Sequence, residues 1–216
     1  MERQSSGSEA LDKFLGGGYE KKVVTTIYGP GASGKTLLLM LAMTKADKKI
    51  IYIDTEGGFS PERFEQVCSD KKVMESTTFL NPTNFKEQKE AIEQLKNLSK
   101  LDISLIIVDT LTSLYRVEMS GDDNYDLNKE LAKQMRDLVQ LARKRNIPVL
   151  VAGQVYADMK EKDKVNVVGG IIMKNMSKCL LEVQKVDDKR KVIIRKHRSM
   201  REGREFNFKI VQKGIE

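Results

Sequence analysis

Residues 29–36 run Gly29-Pro30-Gly31-Ala32-Ser33-Gly34-Lys35-Thr36, a complete G-x-x-x-x-G-K-[ST] pattern. An apolar run, Val23 to Tyr28, leads into it, and Leu37-Leu38-Leu39-Met40 follows. With a strand before and a helix after, glycines let successive backbone N–H groups converge on a β-phosphate, where the helix dipole adds to the attraction for negative charge. Lys35 then bridges the β- and γ-phosphates, and the Thr36 hydroxyl ligates Mg²⁺. The chemistry implied is binding of a nucleoside triphosphate.

Further residues fit around that loop. Leu105-Ile106-Ile107-Val108-Asp109 reads as a buried strand ending in a carboxylate, and beside a phosphate loop Asp109 is the candidate to hold Mg²⁺ through water. Hydrolysis needs a base to orient a water in line with the γ-phosphate, and Asp54-Thr55-Glu56-Gly57-Gly58 supplies two carboxylates. Glu56 is the choice for that base. Asp54 is then a strand-end hydrogen-bonding group, and a structural role for both stays open. Gln154, just after Val149–Ala152, is placed to report the γ-phosphate to the following loop through its amide, or simply to cap that loop.

The elements that must position these groups alternate. Val23–Tyr28, Lys49–Ile53, Leu105–Asp109 and Val149–Ala152 read as strands, and helices start at Lys35 and Pro61 and follow Asp109. Such alternation predicts a mainly parallel central sheet flanked by helices, an α/β fold. Leu127, Leu131, Met135, Leu138 and Leu141 form one apolar helical stripe, as do Phe85, Ile92, Leu95 and Leu98 behind Asn84 as N-cap. Both stripes are core packing. Beyond Gly169-Gly170, Cys179–Val186, Lys191–Lys196 and Phe206–Val211 read as strands of a C-terminal antiparallel extension, with a turn at Asp187-Asp188. Tyr156 to Val168 has no apolar period and reads as a mobile loop.

At 216 residues the chain suits one domain, 1–216, able to bury about 70% of the surface its unfolded form exposes. Cys68 and Cys179 show neither metal-site nor disulfide spacing, which suits a reducing cytoplasm. The N-terminus lacks the apolar core of a signal peptide, and no run approaches a membrane span, so membranes are not expected as partners. The net charge of +7 is unevenly spread: residues 185–216 hold eleven Lys/Arg against five Asp/Glu. Lys196, Arg198, Arg201 and Arg204 could face phosphates of DNA or of the bound nucleotide, or form a solvated strand edge. His197, the sole histidine, is left out of the catalytic set.

Taken together these pieces resemble the RecA/RadA recombinase superfamily, and most closely its short archaeal RadB paralogues. The motifs that carry the resemblance are Ser8-Glu9-Ala10-Leu11-Asp12 with Gly16-Gly17-Gly18, Tyr28 through Thr36, Tyr52 through Arg63, and Phe85-Lys86-Glu87-Gln88. The resemblance spans almost the whole chain. It implies a RecA-type P-loop NTPase core with ATP and Mg²⁺ as ligands, Glu56 as catalytic carboxylate, Gln154 as γ-phosphate sensor, and Arg63 stacking on adenine. A surface ion pair is the competing reading of Arg63. Lys196-His197-Arg198 resembles a basic tripeptide at this place in the same proteins.

Departures from the recombinase pattern matter equally. The chain as read starts almost at the core, so neither a preceding helical DNA-binding domain nor a Phe-x-x-Ala polymerisation motif is expected. Where strand-exchanging members run from Tyr-Arg through Ser-Gly-Arg, this chain has Tyr115-Arg116 and then Ser120-Gly121-Asp122-Asp123. Acid repels a phosphodiester, which leaves Arg116 as the tentative DNA contact there. In the second loop Lys160, Lys162 and Lys164 are offset by Asp158, Glu161 and Asp163. The expected role is an ATP- and DNA-binding accessory of homologous recombination and repair with weak ATPase activity, partnering single-stranded, duplex or branched DNA and a RadA-type recombinase. A self-sufficient strand-exchange ATPase and a KaiC-like signalling ATPase are the alternatives.

Overall fold

The computed structural model describes residues 2–97, 101–120, 124–157 and 165–216. Near the start, β1 (Arg3–Gln4) and β2 (Tyr19–Glu20) pair antiparallel around α1 (Glu9–Phe14). The alternating part follows: β3 (Val24–Tyr28), α2 (Lys35–Met43), β4 (Lys49–Asp54), α3 (Pro61–Val67), α4 (Lys71–Glu75), β5 (Thr77–Leu80), α5 (Phe85–Asn97) and β6 (Ile103–Asp109). Then come α6 (Ser113–Glu118), α7 (Tyr125–Arg145), β7 (Val149–Gly153), β8 (Val155–Ala157), β9 (Val165–Val167) and α8 (Gly170–Met176). The chain closes with β10 (Cys179–Val186), β11 (Lys189–Lys196), β12 (Glu205–Phe208), β13 (Ile210–Val211) and β14 (Gly214–Ile215).

Eight strands make one sheet in the order β12-β11-β10-β3-β7-β6-β4-β5. From β10 to β5 the pairings are parallel, and β11 and β12 add antiparallel at one edge. Strand alternation divides the interior into two layers. Ile106 and Val108 of β6 join Ile92, Leu95, Leu131, Met135 and Leu138 of α5 and α7, while Leu105 and Ile107 face Leu38, Leu39, Met43 and Phe64 of α2 and α3. A parallel sheet covered on both faces must bury every strand residue, and β3, β6 and β7 are buried throughout. The helical stripes sit as expected, except that Leu98 lies outside the described residues. Asn84 Oδ1 accepts the Glu87 N–H at 2.9 Å, as an N-cap does.

Three features differ from the sequence expectation. The stretch Tyr156 to Val168 is ordered at both ends, where β8 and β9 pair antiparallel, because Val155, Val165 and Val167 favour strands. Its charged middle, 158–164, lies outside the described residues, as do Gly121-Asp122-Asp123. Residues 170–176 form the short helix α8, whose seven residues are too few to show a period. The strand expected over Phe206–Val211 breaks at Lys209, whose backbone N–H and C=O pair with Glu216, so β13 and β14 form a separate hairpin. Among the described residues, no helix is long and apolar enough to cross a membrane.

Candidate functional site

The phosphate loop joins β3 to α2 at the C-terminal edge of the parallel strands, where open α/β sheets place their ligands. Gly34 at the N-cap has φ 104 and Ala32 has φ 56, left-handed backbone that turns neighbouring N–H groups inward as a nest for anions. Gly29 is required for a different reason. A Cβ there would lie 2.1 Å from the carbonyl oxygen of Val183 in β10, so the loop lies directly on the sheet. Lys35 Nζ donates to the carbonyls of Gly29 at 2.9 Å and Pro30 at 2.8 Å. Burial holds its ammonium below the ordinary lysine value, and the carboxylates of Asp109 and Glu56 oppose that shift.

Asp109 ends β6 directly opposite Asp54 at the end of β4. Its Oδ2 accepts from Thr36 Oγ1 at 2.7 Å and from the Tyr52 hydroxyl at 3.0 Å. Burial pushes its carboxyl above the usual aspartate range, the two hydroxyl donors pull it back, and Asp54 and Glu56 add to the upward push. Asp54 accepts the backbone N–H groups of Glu56, Gly58 and Phe59 at 3.0 to 3.2 Å and thereby shapes the loop that carries Glu56. Glu56 is exposed, and its Oε1 accepts from Gln154 Nε2 at 2.6 Å and Thr110 Oγ1 at 3.0 Å. The ends of β4, β6 and β7 are thus joined through one carboxylate oxygen. The Gln154 carbonyl accepts the Val168 N–H at 2.9 Å, which continues the connection to the end of β9.

The residues present fit a nucleoside triphosphate with Mg²⁺. Ser33 Oγ is buried without a hydrogen-bond partner inside the loop, and the missing side chain of Gly31 faces open space. Among the described residues no three His, Cys, Asp or Glu side chains cluster as a metal cage. One hydroxyl and one carboxylate, Thr36 and Asp109, suit a cation that draws its other ligands from phosphates and water.

Arg63, on α3, donates to the carbonyls of Val211 and Gln212 at 2.8 Å each and to Gln66 Oε1 at 2.6 Å. No ion pair with Glu62 forms; that carboxylate accepts from Ser60 Oγ instead. The guanidinium therefore clasps the β13–β14 hairpin, whose Ile210 Cδ1 would be 3.2 Å from a Cβ on Gly34.

The tentative DNA contacts divide. Arg116 of α6 lines a cavity of about 660 Å³ with Tyr115, Met119, Tyr156 and Ile171, so the flanks of both loops meet there. Lys196 Nζ donates to the Lys174 carbonyl at 2.6 Å, closing the C-terminal end of α8. Arg198 donates twice to Glu20 Oε2, at 2.9 and 2.6 Å, and Arg3 reaches Glu20 Oε1 at 3.2 Å. Both side chains are committed within the molecule, because a buried carboxylate and a helix end each need a cation. Arg201 is exposed, and Arg204 lies 5.3 Å over the Phe14 ring.

Tyr52 and Thr55 entered the sequence reading only as parts of a motif, without a role, and Thr110 not at all. Thr55 Oγ1 accepts the Thr110 N–H at 3.0 Å and donates to the Thr110 carbonyl at 2.7 Å. The signal was available: Ile53-Asp54-Thr55 and Val108-Asp109-Thr110 end two strands with the same pair of residues, and those pairs stand side by side.

Comparison with known proteins agrees with this arrangement. A family model described as Rad51 matches residues 2–216. The DNA repair and recombination protein RadB of Methanoculleus marisnigri is 39% identical over 99% of this chain and 97% of its own length. That of Thermococcus gammatolerans is 39% identical over 98% and 97%. A solved structure described as the crystal structure of the RadB recombinase superposes with a TM-score of 0.86 at 35% identity, covering 98% of each chain. With its RecA-type core of parallel strands, phosphate loop and antiparallel edge, the chain belongs to the Rad51 family and, within it, to the RadB group.

Proposed function

We propose that this protein binds ATP and DNA and serves homologous recombination and repair as an accessory ATPase, assisting or regulating a RadA-type recombinase without itself exchanging strands. The hydrogen bond from Gln154 to Glu56 carries the reading, because it links the nucleotide site to the residues that open β8 and close β9. When bound, ATP would supply the γ-phosphoryl group and Mg²⁺ would neutralise phosphate charge. Lys35 and the loop N–H groups bind the phosphates, while Thr36 and Asp109 hold the cation. Both lone pairs of Glu56 Oε1 are taken by Thr110 and Gln154, which leaves Oε2 to orient the attacking water and take its proton. Arg63 and the β13–β14 hairpin flank the position of the base.

Two observations support an accessory role over strand exchange. Asp122-Asp123 places acid in the first loop, and Lys196 and Arg198, two cations of the C-terminal basic segment, are spent on internal partners. The test is a strand-exchange assay run with a RadA-type recombinase. The protein alone should exchange no strands, and adding it should change recombinase loading on DNA. Glu56→Gln should keep ATP binding and lower turnover by at least about tenfold. Exchange by the protein alone, or no association with the recombinase, would defeat the reading.

A further inference from the structure

The end of the sheet opposite the nucleotide site collects positive charge. Lys21 and Lys22 enter β3, Lys45, Lys48 and Lys49 precede or open β4, Arg143-Lys144-Arg145 end α7 before β7, and Lys178 enters β10. Backbone hydrogen bonds hold these entries together: Lys22 N–H donates to Ile147 C=O at 3.0 Å, and Lys178 N–H to Val24 C=O at 3.1 Å. Acidic residues along this edge are outnumbered: Asp47 stands exposed beside Lys48, and Asp102 and Glu2 are occupied. Asp102 pairs with Lys48 at 2.9 Å, and Glu2 accepts from Asn146 and lies 3.7 Å from Lys21.

Helix C-termini explain part of this charge, since Arg143 to Arg145 form the last turn of α7, and Lys45 and Lys178 follow α2 and α8, whose last carbonyls attract cations. Lys21, Lys22 and Lys49 follow no helix end. Lys22 is exposed and holds φ 66, a left-handed conformation that glycine or asparagine would adopt more readily. Beside it, Glu2, Lys21, Lys22, Asn146 and Arg198 line a cavity of about 580 Å³.

We propose that this edge is a second DNA-binding face, taking the phosphate backbone of double-stranded DNA. The inference rests on the DNA-binding part of the proposed function. From Lys178 at β10 to Lys49 at β4 the face crosses four strand intervals of about 4.8 Å, roughly 19 Å, close to the width of a duplex. Single strands are held by aromatic platforms as well as charge. The exposed large apolar side chains, among them Tyr125 and Tyr156, lie elsewhere, and none belongs to these strand entries. A rigid row of cations without stacking groups recognises backbone, not bases.

The test uses the full chain with Lys22, Lys49, Lys144 and Lys178 all changed to Ala. Anisotropy of a labelled duplex of about 30 base pairs and of an oligo-dT of equal length is read from about 50 to 300 mM KCl. The variant should lose about tenfold or more in duplex affinity near 100 mM salt, and its log–log salt slope should fall by about 3. Oligo-dT affinity with ATP and ATP turnover should stay within about twofold. Unchanged duplex affinity and slope, or equal loss for both ligands, would overturn the proposal. If the parent retains neither DNA, the DNA-binding reading itself fails. Should the four-position variant not fold, Lys49→Gln with Lys144→Gln gives the same decision through a slope change of about 2.

Discussion

Asp54 and Asp109 stand side by side at the ends of β4 and β6, each followed by a threonine, yet they are set to different tasks. Asp54 has three backbone N–H groups to accept from and builds a loop; Asp109 is buried with two hydroxyl donors on one oxygen. From sequence, Asp109 stood apart as the candidate cation ligand and Asp54 as a strand-end hydrogen-bonding group; their donors could not be named, because those are backbone N–H groups of the loop after Asp54, and Thr36 and Tyr52 for Asp109. The raised proton affinity of Asp109 has a sign that can be tested. Its folded form binds the proton more readily than its unfolded form, so ionisation at neutral pH costs stability that a neutral isostere would not lose. Asp109→Asn is expected to raise Tm by about 2 to 4 °C while weakening Mg²⁺-dependent ATP binding, as thermal unfolding and nucleotide titration with and without Mg²⁺ would show. A lower Tm would mean that the carboxylate holds Thr36 and Tyr52 more strongly than burial penalises it. Lys35→Ala should instead lower ATP affinity by at least about tenfold at nearly unchanged Tm, since its ammonium bonds only to loop carbonyls.

Elements were legible in proportion to their length and period. The stripe along α7 identified that helix, and β3, β6 and β7 announced themselves as apolar runs, the first before the phosphate loop and the others within the alternation of strand and helix. The helix α8 and the hairpin β13–β14 did not, because seven and two residues carry no usable periodicity. That hairpin is held by the clasp from α3 together with Ile215 against the core and the Lys209–Glu216 backbone pair. Replacing Arg63 with Ala removes the two hydrogen bonds that tie α3 to the hairpin, so hydrogen exchange across residues 210–215 should quicken by about tenfold or more while β3 and β6 keep their protection. ATP affinity should fall in parallel. Protection unchanged at the hairpin would show that its other contacts suffice to hold it.

Across the whole molecule, the β1–β2 hairpin is fastened to the far end of the chain at Glu20, where Arg3, Arg198 and His197 converge. No sequence pattern disclosed this junction, since its members are separated by up to 195 positions and each looks like an ordinary surface charge. Burial keeps His197 below the ordinary histidine value, with Glu20 opposing and nearby arginines reinforcing the shift. As pH falls the unfolded chain takes the proton first, so the contribution of this residue is complete above about pH 6.5 and declines below it. The urea midpoint should drop between about pH 7.5 and 5.5, and His197→Gln should flatten that drop; an identical drop in the variant would assign it to other groups. The strand order has a consequence in time. β3, which leads into the phosphate loop, has β7 and β10 as its neighbours, and these begin at Val149 and Cys179. During synthesis that strand waits unpaired on both sides for well over half of the chain to emerge. A ribosome making this protein therefore carries a long, unfinished intermediate with an unpaired apolar strand, and the nucleotide cradle assembles only when translation is nearly over.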